Sequence, residues 1–226
     1  MTLGKVQSDT GVTLVGAGRP HAPDIAESMA RAPYLVAADG GANSCIAAGT
    51  EPCVVIGDLD SITDETRAAL REARIIEYAD QDITDFEKCL RLIDAPFVIA
   101  TGFTDGRLDH TLAVLSVVAR CIGPPTLVLG NEDVAFAAPR QLVLDLPAGT
   151  RFSLFPMTPV TGSSTGLRWP IDGLTLDPLG RLGTSNQASG RVELAFDRPG
   201  CITLIPRVHV SLAVAALTGS AHAPGR

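Results

Sequence analysis

Two acidic side chains follow the apolar run at residues 53–56 and are well placed to hold a metal ion. Asp58 and Asp60 flank Leu59, directly after Gly57. On an extended backbone, residues two apart point to the same side, so both carboxylates would face one ligand. Two such charges repel unless a cation lies between them, and hard divalent cations prefer carboxylate oxygens. A solvated strand end with a helix-capping aspartate explains this short pattern equally well.

A second acidic segment, residues 80–88, contains a helix start. Thr84 and Glu87 have the spacing of a capping box, which predicts a helix that begins at Asp85. Asp85 and Lys88 then lie one turn apart on the same face, where a metal or water ligand would stand beside an ammonium suited to phosphate. Taken alone, the segment favours the alternative, a surface ion pair of small energetic value.

A third segment, residues 101–110, lies between an apolar run and a predicted helix. Its glycines allow the backbone to approach a ligand closely, and Arg107 has the forked geometry that binds phosphate oxygens. Asp109 is a candidate ligand for a metal ion or for a bound nucleotide. A single histidine beside a helix start is more often structural, so we interpret His110 as an orienting or capping residue.

Two glycine-rich turns add weaker signals. The segment Gly16–Gly18 resembles a phosphate-binding turn, but it lacks a full GxGxxG fingerprint and is not a P-loop, so a tight strand exit explains it equally well. In the segment 39–43, Asp39 is expected to face the nucleotide, and Gly40 is expected to let a backbone come near.

The second half of the chain carries a possible site for an aromatic ligand. Trp169, the only tryptophan, lies in the segment 166–170, and Ser185 and Asn186 end the small polar segment 183–186. A flat aromatic ring beside hydroxyl and amide groups can stack on and orient a heteroaromatic ligand. Without the acidic segments of the first half, core packing is the preferred explanation of Trp169.

The elements that position these residues alternate in the first half. Short runs that are apolar on both faces predict buried parallel strands, and helical spacing separates them. Together they predict a doubly wound, mostly parallel α/β sheet, with the three acidic segments at the carboxyl ends of strands, where open α/β sheets bind ligands. The predicted strands are Val12–Val15, Tyr34–Ala38, Cys53–Ile56, Phe97–Ala100 and Thr126–Leu129, and the predicted helices are Asp64–Ala73, Asp85–Ile93 and Thr111–Cys121.

The pattern changes near residues 131–139. Later apolar runs are separated by proline and glycine clusters without a convincing helix, which predicts a small antiparallel β-sandwich or barrel. We therefore expect an α/β domain over residues 1–137 and a β-sandwich domain over residues 138–226. Residues 208–217 form either a terminal helix or a strand, and the tail from Ser220 is expected to be loose. The predicted β runs are Gln141–Leu146, Phe152–Phe155, Arg191–Phe196 and Cys201–Ile205.

Composition excludes several classes of protein. The chain has 226 residues, 46% of them hydrophobic, which is enough for one large or two modest cores. A net charge of -7 argues against binding nucleic acid through a general positive field. Five cysteines without CxxC spacing indicate buried, reduced thiols rather than a disulfide or zinc framework. The sequence shows neither a signal-peptide pattern nor a membrane-spanning apolar run, so we expect a cytoplasmic protein.

The order of these motifs resembles the thiamine pyrophosphokinase family. The similarity runs from Val12 to Ile205, and six segments in the same order are difficult to obtain by accident. The chain after Arg207 does not align with the family pattern, so no role is expected for it. The six segments are Ala38–Ala42, Gly57–Ser61, Asp80–Lys88, Gly106–His110, Gly166–Pro170 and Gly183–Asn186.

The resemblance implies an enzyme in which ATP and magnesium bind the α/β domain and the hydroxyl of thiamine attacks the β-phosphorus of ATP in line, with AMP leaving. It implies a homodimer in which thiamine lies at the subunit interface against the β domain of the partner. It also implies that Asp58, Asp60 and Asp85 surround the metal and the reacting phosphates. The other implied nucleotide-binding residues are Asp39, Gly40, Gln81, Thr84, Lys88, Arg107 and Asp109, and those implied for thiamine are Trp169, Ser185 and Asn186.

Two rival functions explain less of the sequence. The Asp58-Leu59-Asp60 motif also fits the metal site of a nucleotide-sugar glycosyltransferase, but that function leaves Lys88 and Trp169 unexplained. A non-catalytic sensor of thiamine or its diphosphate is disfavoured because every acidic position that the resemblance implies is filled. Turnover of a sugar nucleotide would revive the first rival, and tight thiamine binding without turnover would favour the second.

Overall fold

The computed structural model describes residues 4–18, 20 and 22–219, which divide into two compact units. The first unit contains the described residues up to Val117 together with Ile122–Gly130, and the second contains Val118–Cys121 and the described residues from Asn131 onward. The main division thus lies before the boundary predicted after residue 137. The reason is that residues 133–137 form a strand of the second unit's antiparallel sheet.

The first unit alternates strands and helices along most of its length, as predicted. Its strands, apart from the short pair β1 and β6, build one sheet. The elements are β1 (Val6–Gln7), β2 (Val12–Val15), α1 (Ala22–Met29), β3 (Tyr34–Ala38), α2 (Gly41–Ala47), β4 (Val54–Gly57), α3 (Asp64–Ala69), β5 (Arg74–Glu77), α4 (Asp85–Leu92), β6 (Ile93–Asp94), β7 (Val98–Thr101), α5 (Leu108–Ala119) and β8 (Thr126–Leu129).

The sheet of the first unit is parallel throughout, in the order β8-β7-β2-β3-β4-β5. Every residue of β2, β4, β7 and β8 is buried, so both faces of these strands are covered, as expected for a parallel sheet between helices. Ile25 of α1 and Cys45 of α2 pack with Leu35 and Val55 of the sheet in one apolar cluster. Helix α4 contacts β3 and β4 but contributes no residue to that cluster, so it covers the opposite face.

Two helices of this unit begin at threonine caps. The hydroxyl of Thr84 accepts a hydrogen bond from the backbone amide of Glu87 at 3.3 Å, which confirms the predicted start of α4 at Asp85. Thr63 caps α3 in the same way, accepting from the amide of Thr66 at 3.2 Å. Each cap satisfies an otherwise unpaired donor in the first turn and fixes where the preceding loop enters the helix.

Several local predictions in this unit were wrong. Residues 41–43, interpreted as part of a glycine-rich turn, are the first turn of helix α2. Gly41 is needed there for close packing, because a side chain at this position would lie 2.1 Å from the carbonyl oxygen of Val15. Helix α3 ends at Ala69 rather than Ala73, and residues 70–73 connect it to the edge strand β5. Helix α5 begins at Leu108, three residues before its predicted start.

The second unit is antiparallel in all its strand pairs. Its sheet order is β13-β12-β14-β11-β15-β9, and β10 also pairs with β14. The elements are β9 (Asp133–Ala137), β10 (Gln141–Asp145), β11 (Arg151–Pro156), β12 (Val160–Leu167), β13 (Thr175–Leu176), β14 (Gly183–Phe196), β15 (Cys201–Pro206), a 3-10 turn (Arg207–His209) and α6 (Val210–Thr218).

Besides β12, the long strand β14 pairs with two further strands, which lie along successive parts of it. Its residues 183–187 pair with β11, and its residues 191–195 pair with β10. Gly190 lies between the two halves with φ 138°, a conformation that L side chains rarely adopt. A glycine at this position lets the strand bend from one partner to the other, so the unit folds its sheet around a core that contains Phe152 and Val192.

The second unit also differs in part from its predicted elements. The glycine- and serine-rich residues 160–167 and 183–190 form strands β12 and β14, although their sequence lacks a clear apolar alternation. These two strands are stabilised by hydrogen bonding to neighbouring strands rather than by an alternating pattern of apolar side chains. Residues 208–217 were expected to form either a helix or a strand, and the structure shows the helix α6 over Val210–Thr218. The tail from Ser220 lies outside the described residues.

All five cysteines are free thiols, as the sequence predicted. The expectation that they are buried was wrong for Cys53 and Cys121, which are exposed. Among the described residues there is no helix with the length and apolarity needed to cross a lipid bilayer.

Candidate active site

A cleft of about 740 Å³ opens at the carboxyl ends of the strands in the first unit. From β2 the chain continues through β3, β4 and β5 on one side, whereas β7 and β8 lie on the other side of β2. The strand order therefore reverses between β2 and β7, and this is where open α/β sheets bind ligands. The loops that follow these two strands line the cleft, together with the residues around Asp39, Asp58 and Asp85.

The two glycines that follow β2, Gly16 and Gly18, pack tightly against the loop after β7. The backbone amide of Gly16 donates to Thr101 at 2.9 Å, and that of Gly18 donates to Gly102 at 2.8 Å. A side chain on either Gly16 or Gly18 would lie 2.6 Å from the carbonyl oxygen of Gly102. These contacts account for the glycines as a tight strand exit, which was the alternative to a phosphate-binding turn. Both glycines nevertheless line the cleft.

Asp58 and Asp60 converge, but not for the predicted reason. The sequence interpretation assumed an extended backbone, whereas Leu59 adopts a left-handed conformation with φ 67°. The carboxylates are brought together by this turn, and Asp39 joins them. Each of the three offers a carboxylate oxygen, and these oxygens all lie within 4.8 Å of one another. This arrangement of hard oxygen donors fits a divalent cation such as Mg²⁺.

Asp39 supplies the observation that points most directly to a ligand. The residue is only 5% exposed, its backbone has φ 42°, and its Oδ1 has no hydrogen-bond partner among the described residues. Burial raises the pKa of Asp39, and the hydrogen bonds from Ser61 and from the Gly40 amide only partly oppose this effect. A buried, unpaired carboxylate oxygen is costly unless a ligand satisfies it, and a cation shared with Asp58 and Asp60 would do so.

Lys88 is not part of a surface ion pair, so the alternative that the segment favoured on its own was wrong. Its side chain is 3% exposed and its Nζ donates to Asp85 Oδ1 at 2.8 Å, while Asp58 Oδ2 lies 3.8 Å from the same ammonium. Burial alone would lower the pKa of Lys88, but the hydrogen bond and the charges of Asp85 and Asp58 raise it above its usual value. Lys88 therefore carries a full positive charge inside the cleft.

The remaining predicted residues of the second segment line the same cleft. Gln81 Nε2 donates to Asp58 Oδ2 at 3.1 Å, and this hydrogen bond is the main reason that the pKa of Asp58 is lowered. Thr84 and Asp85 line the cleft as well. Asp85 is not in the group of three clustered carboxylates, but it borders the same ammonium as Asp58.

The third segment is only partly in the cleft. Arg107 and His110 line the cleft, but Asp109 is not among the residues of its wall. Asp60, from the first acidic segment, is also absent from the wall. Arg107 donates through Nε and Nη2 to the two carboxylate oxygens of Asp109, at 3.1 and 2.5 Å, and so lowers the pKa of Asp109. Both side chains are largely exposed, so this pair is free to exchange partners when an anion approaches Arg107.

A second pocket, of about 350 Å³, lies in the second unit. Trp169, Ser185 and Asn186, the three residues predicted to contact an aromatic ligand, all line it. Trp169 is 52% exposed, so core packing does not explain it, and the guanidinium of Arg168 lies 4.7 Å from its ring centre. Ser185 has φ 61°.

The amide of Asn186 is occupied by backbone contacts rather than directed at a ligand. Its Nδ2 donates to the carbonyl oxygen of Trp169 at 2.7 Å, and its Oδ1 accepts from the amides of Trp169 and Gln187 at 3.2 and 2.8 Å. Asn186 is itself buried. It therefore fixes the backbone that carries the indole ring.

Sequence reasoning missed several residues of the cleft. Phe86 and Phe103 form its apolar wall, with ring centres 4.8 Å apart in an edge-on contact. Ser61 also lines the cleft, between the aspartates. Phe86 directly follows Asp85 in α4, and adjacent helix positions do not share a face, so no sequence signal placed Phe86 in the wall. No sequence signal placed Phe103 opposite it, since that contact joins α4 to the loop after β7.

Comparisons with known proteins agree with the resemblance seen in the motifs. Residues 25–127 match the family described as thiamin pyrophosphokinase, catalytic domain. Thiamin pyrophosphokinase 1 of Caenorhabditis elegans is 28% identical over 179 residues, which cover 70% of this chain and 73% of that protein. Thiamine pyrophosphokinase 1 of Oryza sativa subsp. japonica is 28% identical over 190 residues, covering 69% and 72%.

Solved structures extend the likeness to the fold. The thiamin pyrophosphokinase from Candida albicans superposes with a TM-score of 0.75 at 18% identity, covering 91% of this chain and 93% of that one. The yeast enzyme superposes with a TM-score of 0.73 at 15% identity. The mixed α/β architecture is thus that of solved thiamin pyrophosphokinases. These matches confirm the predicted family resemblance: residues 25–127 match the thiamin pyrophosphokinase catalytic domain, and most of the chain is similar to proteins of that name.

Proposed function

We propose that this chain transfers the diphosphate of ATP to the hydroxyl of thiamine, producing thiamine diphosphate and AMP. The single observation that carries the proposal is the composition of the cleft at the strand-order reversal. Buried Lys88, the unpaired oxygen of Asp39 and the carboxylate of Asp58 meet there, and Asp60 stands beside the cleft wall in the same group of three carboxylates. Phosphoryl transfer depends on positioning and charge neutralisation more than on covalent help, and these side chains supply both. The names of the similar proteins support the same reaction.

A magnesium ion is part of the proposal. Asp39, Asp58 and Asp60 would hold it, and Asp85, the other predicted ligand, would border it from the start of α4. When bound, Mg²⁺ neutralises the polyphosphate and the charge that develops during transfer. The buried and unpaired Oδ1 of Asp39 favours a cation at this position, because a hydrogen-bond donor is lacking there among the described residues.

The side chains of the cleft have distinct roles in the proposal. Lys88 binds a phosphate oxygen from inside the cleft, and Arg107 leaves Asp109 to bind the polyphosphate from its exposed rim. Gln81 holds Asp58 in its ionised form. Thr84, the cap of α4, and Gly40, which has no side chain, both line the nucleotide site. Asp109 orients Arg107 before the nucleotide binds.

The second unit, in this proposal, is a small β-sandwich domain that binds thiamine. Trp169 stacks on the pyrimidine ring, Ser185 borders it, and Asn186 keeps the Trp169 backbone in place. We also propose, from the family resemblance, a homodimer with the active site at the subunit interface. Sedimentation of the purified protein tests the dimer, and a monomer at micromolar concentration with full activity would contradict it.

The test of the reaction is product identity. Purified protein incubated with ATP, magnesium and thiamine should yield AMP and thiamine diphosphate in equal amounts, separated by chromatography. Chelation of the metal should stop turnover, and re-addition should restore it. ADP as the only nucleotide product would contradict diphosphate transfer, and tight thiamine binding without any product would point to a sensor.

A further inference from the structure

We infer that Asn43 is a positioning residue for the acidic cluster, because its amide clamps the segment that brings Asp58 and Asp60 to Asp39. The inference rests on the proposed cation site. Asn43 lies in helix α2, four residues after Asp39, and is not among the residues that line the cleft. It therefore acts through the backbone of residues 58–63 rather than on a ligand.

The clamp uses both ends of one amide. Asn43 Nδ2 donates to the carbonyl oxygen of Ser61 at 2.8 Å, and Asn43 Oδ1 accepts from the backbone amide of Thr63 at 3.1 Å. A donor and an acceptor in one planar group match two backbone groups two residues apart. An aspartate could accept from Thr63 but would place a second acceptor against the Ser61 carbonyl, and an alanine could do neither.

The clamped segment needs such support. Leu59 has φ 67°, a left-handed conformation that is unfavourable for an L residue with a side chain. The carboxylates of Asp58 and Asp60 also repel each other when they converge. Besides Asn43, Arg67 holds the segment by donating to the carbonyl oxygen of Leu59 at 3.1 Å.

The clamp also links the two parts of the cation site. Asp39 comes directly before Gly40 and the start of α2, while Asp58 and Asp60 belong to the clamped segment. A side chain at Gly40 would lie 3.1 Å from Cβ of Ser61, so the segment packs closely against the start of this helix. Asn43 thereby sets how closely Asp58 and Asp60 approach the unpaired oxygen of Asp39.

The test compares Asn43→Ala and Asn43→Asp with a matched control, Glu51→Gln. Glu51 Oε1 accepts from the backbone amides of Arg71, Glu72 and Ala73 at 2.6, 2.7 and 3.0 Å. It thus supports the chain beyond the far end of α3, away from the aspartates. Mn²⁺ binding is measured by electron paramagnetic resonance with a non-hydrolysable ATP analogue present, and hydrogen exchange of the Thr63 amide is measured in ligand-free protein.

Asn43→Ala should weaken Mn²⁺ binding about 10- to 100-fold, the range found when a residue that orients a metal ligand is removed. The Thr63 amide should exchange faster, and the KM for thiamine should stay unchanged. Asn43→Asp should also weaken Mn²⁺ binding; tighter binding would mean that local charge, not the clamp, governs the site. Glu51→Gln should leave the Mn²⁺ affinity unchanged.

Two further results would also overturn the inference while leaving the proposed reaction intact. One is an Asn43→Ala protein whose Mn²⁺ affinity stays within twofold of the wild type. The other is an equal loss of affinity in Asn43→Ala and Glu51→Gln, which would indicate general loosening around α3. A wild-type protein that binds neither Mn²⁺ nor the ATP analogue would instead overturn the proposed function itself, and with it this role of Asn43.

Discussion

The cleft of the first unit and the pocket of the second unit are built from different kinds of interaction. In the cleft, charged side chains hold one another: Lys88 binds Asp85 and borders Asp58. In the pocket, the one buried polar side chain of the wall, Asn186, serves the backbone of Trp169 and leaves the indole half-exposed. A site of coupled charges is suited to a polyanion with a cation, and an aromatic surface is suited to a flat ring. Substitutions in the two sites should therefore affect different kinetic constants.

The largest effect should come from the clustered carboxylates. Asp58→Asn or Asp60→Asn should lower kcat by about 10²- to 10³-fold, as expected for loss of one preorganised electrostatic contact, while circular dichroism shows an intact fold. The measurement is AMP release at saturating ATP and thiamine. Glu65→Gln, which removes an exposed carboxylate in the first turn of α3, is the control and should keep normal activity. Near-normal rates in both aspartate variants would remove these residues from the metal site.

A smaller loss is expected from the buried ammonium. Lys88→Met keeps most of the side-chain volume but removes a charge-assisted hydrogen bond worth about 1.5–3 kcal/mol, so kcat/KM for ATP should fall about 10- to 100-fold. Steady-state kinetics at varied ATP measure this. The KM for thiamine should change little. A variant with unchanged ATP kinetics and weakened thiamine binding would reverse the division of roles between the two sites.

The pocket of the second unit should respond through binding alone. Trp169→Ala should raise the KM for thiamine about tenfold, because a stacked aromatic contact contributes about 1–2 kcal/mol, and it should leave the KM for ATP unchanged. Leu179→Ala, at a fully exposed position of the same unit, is the matched control. Loss of ATP binding with thiamine binding retained would mean that the two ligands are assigned to the wrong units.

The smallest effect concerns stability and has the opposite sign. Because burial raises the pKa of Asp39 above its unfolded value near 3.8, ionised Asp39 destabilises the fold. Asp39→Asn should raise the free energy of unfolding at pH 7 by about 0.5–2 kcal/mol, the usual gain when such a constraint is removed. The gain should shrink as the pH falls through the raised pKa and vanish below about 3.8, where Asp39 is protonated in both states. Urea denaturation at pH 7 and pH 3.5 measures it, and a destabilised variant at pH 7 would contradict the assignment.

The clearest sequence signals came from residues that combine a chemical type with a local rule. The capping box at Thr84 placed Asp85 and Lys88 one turn apart, and the structure confirms that pair. The apolar runs before Gly16 and Gly130 gave strands with the predicted bounds, because a strand buried on both faces has an unmistakable composition. By contrast, Gly41 was assigned to a turn, since the close carbonyl that it accommodates belongs to another strand.

By itself, the sequence determined which residues carry charge, where the predicted strands end to within one residue and which helix begins at Asp85, because caps and apolar patterns act over a few neighbouring residues. Only the tertiary structure decided that Lys88 is buried, that the turn at Leu59 gathers Asp58 and Asp60 beside Asp39, and that Asn43 holds this turn. Burial and convergence are properties of packing between distant segments. Neither burial nor convergence can be inferred from the residue pattern of a single strand or helix.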